Sequence, residues 1–194
     1  MLSKSELRRE MSDRRFAMLS GERIEASRAV LENLEFLSEF RRASGILFYL
    51  SLEEEVRTDE IIKRMIERNR RVYVPLLNGS QLLLTRIYGM EVEFEKRVFG
   101  IREPKKKYWD LCSPDRLDLV IVPGLAFDCN GSRVGFGLGY FDRFLERLEP
   151  ETVFVGLAFD FQLVESVPQT TSDRKVHFVV TDKRIHDCRH SLIN

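Results

Sequence analysis

Residues 117–122 hold five apolar side chains in six positions: Leu117, Leu119, Val120, Ile121 and Val122. A run with no polar alternation has no solvent face, so it reads as a strand buried on both sides in a parallel sheet. Residues 45–50 (GILFYL) form a second unbroken apolar run, and residues 72–76, 82–87, 153–159 and 178–181 read as further strands. Helical patterns lie between and before them. Ser3 and Glu6 match a capping box opening a helix over residues 4–19 that ends at Gly21. A second helix covers 22–42, with Ile24, Leu31, Leu34, Leu37 and Phe40 inward, and a third covers 58–68, with Ile61, Ile62, Met65 and Ile66 inward. Strands alternating with helices indicate an α/β layered fold with a largely parallel sheet. Residues 88–116 carry no clear period, with Trp109 assigned to packing of that loop. No internal repeat or low-complexity linker divides the chain, so one domain over 1–194 is expected.

Charge and cysteine usage narrow the function classes. Lys plus Arg and Asp plus Glu number 31 each, so no global field recruits nucleic acid or membrane. Cys112, Cys129 and Cys188 form no C-x-x-C pair, which points to reduced thiols. The N-terminal charges Lys4, Glu6, Arg8, Arg9 and Glu10 are unlike a signal peptide, and no run approaches the roughly 18 apolar residues of a membrane span. A soluble cytoplasmic protein is expected.

The chemistry concentrates after the strand at 117–122. Pro123 and Gly124 stop it, Asp128 to Gly131 supply a turn, and Gly135, Gly137 and Gly139 precede a helix over 140–148. A glycine loop entering a helix presents free N–H groups and the positive end of the dipole to an anion. This is neither a Walker A motif nor the dinucleotide fingerprint, and the spacing alone is a weak signal. Its neighbours strengthen it. Arg133 can grip phosphate in a fork, Asp142 in the first helical turn can hold a hard cation such as Mg²⁺, and Tyr140 and Phe136 offer flat faces. Lys4 and Arg8 lie one turn apart on a basic helix face with Arg9, Arg14 and Arg15; that face is either solvated or reaches phosphate. Glu53, Glu54 and Glu55 follow a strand end, where they either contact a ligand or complement the next helix dipole. Asp173 is a loop carboxylate before the last strand. His186 and His190 are spaced i, i+4 but have no third ligand nearby, which favours a surface pair. No Ser/His/Asp set or H-E-x-x-H motif occurs, so histidine base chemistry is not expected.

Val122-Pro-Gly-Leu-Ala-Phe-Asp128 and Gly131-Ser-Arg-Val-Gly-Phe-Gly-Leu-Gly-Tyr-Phe-Asp-Arg143 together resemble the signature of the 5-formyltetrahydrofolate cyclo-ligase family. Lys4-Ser-Glu-Leu-Arg8 is similar to its K-x-x-L-R element, and Phe48 to Glu55 to its strand-end segment. Gly100-Ile-Arg-Glu-Pro104 is similar to its G-I-x-E-P loop, and Asp173-Arg-Lys-Val176 to its late D-x-x-V. The likeness spans essentially the whole chain.

The resemblance implies a three-layer α/β/α fold like that of sugar-phosphate isomerases and CoA transferases. It also implies an enzyme that uses ATP and Mg²⁺ to convert 5-formyltetrahydrofolate to 5,10-methenyltetrahydrofolate; a monomer is expected. By motif position Lys4, Arg8, Arg133, Gly135, Gly137, Gly139, Tyr140 and Phe141 bind ATP, with Lys4, Arg133 and Tyr140 acting in catalysis. Leu50, Glu55, Phe136, Gly137, Leu138, Gly139 and Tyr140 line the folate pocket, and Asp142 and Asp173 contact the metal. Phosphorylating the formyl oxygen makes it a leaving group for attack by N10. That chemistry asks for charge stabilisation and in-line placement more than for an acid–base pair. Glu55 suits the pterin N–H donors. Many members carry a basic residue, Gly or Tyr where this chain has Phe136 and Leu138. The common Tyr-Tyr-Asp reads Tyr140-Phe141-Asp142, and His177 stands where aspartate is frequent. Two other readings are a non-catalytic nucleotide- or folate-binding module and a sugar-phosphate isomerase-like enzyme that needs no ATP.

Overall fold

In the computed structural model, which describes residues 2–191, the apolar runs become the middle of an eight-stranded sheet. Helices α1 (Lys4–Ala17), α2 (Ser20–Phe36) and α3 (Ser38–Arg42) precede strand β1 (Gly45–Leu47) and helix α4 (Asp59–Glu67). The hairpin β2 (Arg71–Asn78) and β3 (Gln81–Ile87) is followed by short strands β4 (Phe94–Lys96), β5 (Arg102–Pro104) and β6 (Leu111–Cys112). Then come β7 (Leu119–Val122), the hairpin β8 (Ala126–Phe127) and β9 (Arg133–Val134), and helix α5 (Tyr140–Leu145). Strands β10 (Val153–Leu157), β11 (Phe178–Val180) and β12 (Ile185–Asp187) complete the series.

The sheet order is β12-β11-β10-β7-β1-β2-β3-β6. Strands β11, β10, β7, β1 and β2 are parallel, and antiparallel partners close both edges. The pleat sends alternate residues to opposite faces. Ile46, Leu119, Ile121 and Val155 pack with Leu34, Phe40, Ile61 and Met65 of α2, α3 and α4. Leu47, Val120, Val122 and Val179 pack with Phe144 and Leu145 of α5. Both faces are covered, so each strand side chain is withdrawn from water, worth about 1.5–3 kcal/mol apiece. This is the three-layer α/β/α arrangement.

Helix α1 packs elsewhere. Leu7 and Met11 join Leu125, Ala126, Val134 and Val167 over the β8–β9 hairpin. Its capping box is formed, with the Glu6 amide donating to Ser3 Oγ at 3.3 Å and the Ser3 amide to Glu6 at 2.7 Å.

Several boundaries differ from expectation. Helix α1 ends at an extended Met18, and Gly21 lies inside α2 because Glu22 caps the Leu19 amide at 3.1 Å and starts a new helix. An extended Leu37 splits the expected helix over 22–42 into α2 and α3, and Ile24 is exposed rather than inward. Helix α5 stops at Leu145. Residues 88–116 are ordered by short strands and 3₁₀ turns, too short for any period to register. Trp109 packs there as expected, its ring N–H donating to the Pro104 carbonyl at 2.8 Å. His186 and His190 share no helix: the first is on β12 and the second in a 3₁₀ turn.

Candidate active site

The carboxyl ends of β1, β2 and β7 open onto one cavity of about 690 Å³, the position at which open α/β sheets take ligands. Every residue expected to bind or react lines it: Lys4, Arg8, Leu50, Glu55, Arg133, the stretch 135–142 and Asp173.

The glycine loop forms one wall. Gly137 has φ +101° and Gly139, the N-cap of α5, has φ +65°. A Cβ at Gly137 would stand 3.5 Å from the Arg8 guanidinium, an ordinary contact, so backbone conformation rather than space calls for glycine there. Tyr140 and Arg143 moor the end of the loop across the cavity mouth. The Tyr140 hydroxyl donates to the Gly79 carbonyl at 2.8 Å and Arg143 to the Ser80 carbonyl at 3.1 Å, both in the β2–β3 turn.

Four cationic side chains meet at this wall. Arg8 Nε donates to the Gly135 carbonyl at 2.9 Å, and Lys4 ion-pairs with Asp173. Arg133 is buried and bonds Asp142 at 2.8 Å, while its Nε has no partner among the described residues. Burial pulls the Arg133 pKa down, against the opposing pull of Asp142. Arg143, near Leu138, is the fourth. Burial works to raise the Asp173 pKa, but hydrogen bonds from Lys4 and Thr170 outweigh it and leave it lowered. The wall therefore offers concentrated positive charge with two carboxylates beneath it. No group of three His, Cys, Asp or Glu suited to a metal occurs among the described residues. One or two carboxylates can suffice for a Mg²⁺ that keeps its remaining sites for phosphate and water.

The remaining lining is largely apolar, with two acids: Leu50, Leu52, Leu77, Leu82 and Ile101 contribute to it, and Phe136 and Leu138 of the glycine loop are half-exposed. Glu55 is buried. Burial raises its pKa, opposed by Arg15 and by the Leu52 amide, which donates to its carboxylate at 2.9 Å. Glu54 also lines the cavity, whereas Glu53 does not.

Three features were missed. Phe99, exposed and at φ +61°, lines the cavity from the 98–101 loop, a tight turn closed by the Arg97 amide donating to the Ile101 carbonyl at 2.8 Å. Glu103 ties that loop to β2, its carboxylate accepting from the Leu77 amide at 2.8 Å and pairing with Arg97 at 3.4 Å. Arg15 is not on a solvated face; it is buried behind Glu54 and Glu55, and only the i, i+4, i+8 spacing from Leu7 and Met11 hinted at that. Arg14 stays at the surface, donating to the Phe161 carbonyl at 3.3 Å.

Comparison with known proteins gives one consistent result. A profile described as the 5-formyltetrahydrofolate cyclo-ligase family matches residues 1–182. The 5-formyltetrahydrofolate cyclo-ligase of Haemophilus influenzae is 30% identical over 168 residues, covering 85% of this chain and 90% of the relative. That of Escherichia coli is 34% identical over 148 residues, covering 74% and 80%. The solution structure of Aquifex aeolicus 5,10-methenyltetrahydrofolate synthetase superposes with a TM-score of 0.84 at 32% identity, covering 96% of this chain and 93% of that one.

Proposed function

The chain belongs to the 5-formyltetrahydrofolate cyclo-ligase family, and we propose that it converts 5-formyltetrahydrofolate to 5,10-methenyltetrahydrofolate with consumption of ATP. The observation that carries this reading is the mixed lining of one cavity. Cationic side chains and a glycine loop suited to phosphates share it with apolar side chains and a buried acid, Glu55, suited to the N–H donors of a flat heterocycle.

In the reaction the formyl oxygen takes the γ-phosphoryl group of ATP with release of ADP, N10 attacks the formyl carbon and gives up its proton to solvent, and the C–O bond breaks to release inorganic phosphate. Lys4, Arg8, Arg133 and the loop amides bind the phosphates and stabilise the charge that develops on them. Glu55 anchors the pterin, while Leu50 and the stretch 136–140 press on it and bring the formyl oxygen into line. Tyr140 holds the loop to the β2–β3 turn through its bond to Gly79. Asp142 and Asp173 are the residues that would hold Mg²⁺, with Lys4 and Arg133 yielding part of their present contacts. When bound there, the metal would neutralise phosphate charge.

The described helices include none long and apolar enough to cross a membrane. A single-domain, monomeric, cytoplasmic enzyme is part of the same proposal; one eight-stranded sheet that draws on strands from β1 to β12 supports the single domain, and three free cysteines support a reducing compartment. The test is purified protein with 5-formyltetrahydrofolate, ATP and Mg²⁺, followed by the absorbance of methenyltetrahydrofolate. ATP-dependent product is expected; absence of product, or product without ATP, overturns the proposal.

A further inference from the structure

Helix α1 turns Leu7, Met11 and Arg15 inward, and the third of these is a charge. Arg15 is 1% exposed. A guanidinium withdrawn from water to that extent is costly unless anions and acceptors offset the loss. Its Nε donates to the Glu54 carbonyl at 3.0 Å. Its Nη2 lies 3.4 Å from the Glu54 carboxylate and 3.9 Å from that of Glu55, is sealed from solvent, and makes no hydrogen bond among the described residues. Arg23 of α2 is buried beside it but differs in use. It sends both terminal nitrogens to main-chain carbonyls: to Glu53 at 3.2 Å, Arg15 at 3.1 Å and Met18 at 2.8 Å. Arg23 fastens backbone; Arg15 faces carboxylates.

Glu54 and Glu55 line the cavity, and Arg15 stands behind them. We propose that Arg15 is a positioning residue for substrate recognition. From behind the wall its guanidinium, 3.9 Å from the Glu55 carboxylate, holds that carboxylate in place to receive N–H donors of the folate ring. The identity of the ligand rests on the cyclo-ligase reading; the coupling of Arg15 to Glu55 does not. Other groups acting on Glu55 are few. Glu54 beside it disfavours ionisation, the Leu52 amide favours it, and Tyr49 directs its hydroxyl to the Val56 carbonyl at 3.1 Å. Among the described residues, Arg15 is thus the cation that offsets the effect of burial on this carboxylate.

The test compares wild type with Arg15→Leu, Arg15→Lys, Glu55→Gln and the Arg15→Leu/Glu55→Gln double variant. KM for 5-formyltetrahydrofolate and for ATP is measured from about pH 5.5 to 8.5. Without Arg15 the Glu55 pKa rises further, so the carboxyl is neutral to higher pH. Arg15→Leu is expected to raise the folate KM severalfold at the acid end of that range, with recovery as pH increases, and the ATP KM stays within about twofold. Arg15→Lys is intermediate, and Arg15→Leu adds nothing to Glu55→Gln. A folate KM raised equally at every pH, or in step with the ATP KM, overturns the proposal. Carboxyl ¹³C NMR of Glu55 in wild type and Arg15→Lys gives a readout that survives misfolding of the leucine variant. An upward move of the Glu55 titration in Arg15→Lys supports the coupling, and an unchanged titration overturns it. Because the NMR needs no turnover, it decides this proposal even if the wild-type protein shows no cyclo-ligase activity.

Discussion

Asp142→Asn separates charge from shape at the proposed metal-binding carboxylate. Asp142 and Arg133 are 22% and 3% exposed at the side chain, with 2.8 Å between them, and Asp142 also accepts from the Arg174 amide at 3.1 Å. Asparagine preserves an oxygen acceptor but leaves a buried guanidinium without its counter-ion. Charge-assisted hydrogen bonds contribute about 1.5–3 kcal/mol and neutral ones roughly half that. The exchange therefore costs about 1–2 kcal/mol, less than the roughly 3–5 of a fully buried broken pair because water reaches Asp142. In a domain of this size each kcal/mol moves Tm by about 2–4 °C, so a fall of about 2–8 °C is expected by calorimetry. Replacing both partners, as Arg133→Met/Asp142→Asn, should restore part of that loss, since no buried cation remains at this position. Turnover should fall by about 10²–10³, the scale for losing one preorganised electrostatic contact in a transition state. A variant with unchanged Tm would refute the reasoning about Arg133. Near wild-type turnover in the absorbance assay would refute the assignment of Asp142 to the metal.

Three further outcomes follow from the same geometry. Phe136→Ala should raise the folate KM more than the ATP KM, and the opposite order would remove Phe136 from the pterin wall. Gly131→Ala should destabilise by about 3 kcal/mol or more, because φ is +79° and a Cβ there runs into the Val176 carbonyl. Gly21→Ala, in open space within α2, should instead stabilise by about 0.5–1 kcal/mol; thermal melts that rank the two variants together would contradict this. His177 accepts from the Phe154 amide at 2.8 Å and must be neutral to do so; burial, then Arg189, lower its pKa against Asp187. A depressed histidine pKa means the unfolded chain binds the proton first, so stability is complete above about pH 6.5 and declines as pH falls below it. Tm between pH 7.5 and 5 should drop more in wild type than in His177→Asn, and parallel curves would count against the histidine.

The parallel core was legible because its strands at 117–122 and 153–159 lack polar alternation, a pattern that only a sheet covered on both faces accommodates. The glycine-loop wall was legible because its chemistry lies in contiguous residues, from Asp128 to Arg143. What escaped the sequence is tertiary in origin. Arg15 reads as solvent-facing wherever a charged residue is assigned outward by default, and only the carboxylates behind which it lies make burial tolerable. Gly21 reads as a helix stop, but the bond from the Leu19 amide to Glu22 restarts the helix one residue earlier. Phe99 lies in a stretch whose strands are three residues or fewer, held by Glu103 rather than by any period.

The wiring of the cavity also bears on how the protein is made. Lys4 meets Asp173 across 169 positions, and Arg8 meets Gly135 across 127. A nascent chain that has emerged through β7 therefore carries its first helix with no counterpart for either cation. Closing such long loops adds only logarithmically to the entropic cost, so the penalty lies in timing rather than in final stability. Arg8 can find its partner once the glycine loop is made, whereas Lys4 stays without its own until the chain has been translated past Asp173.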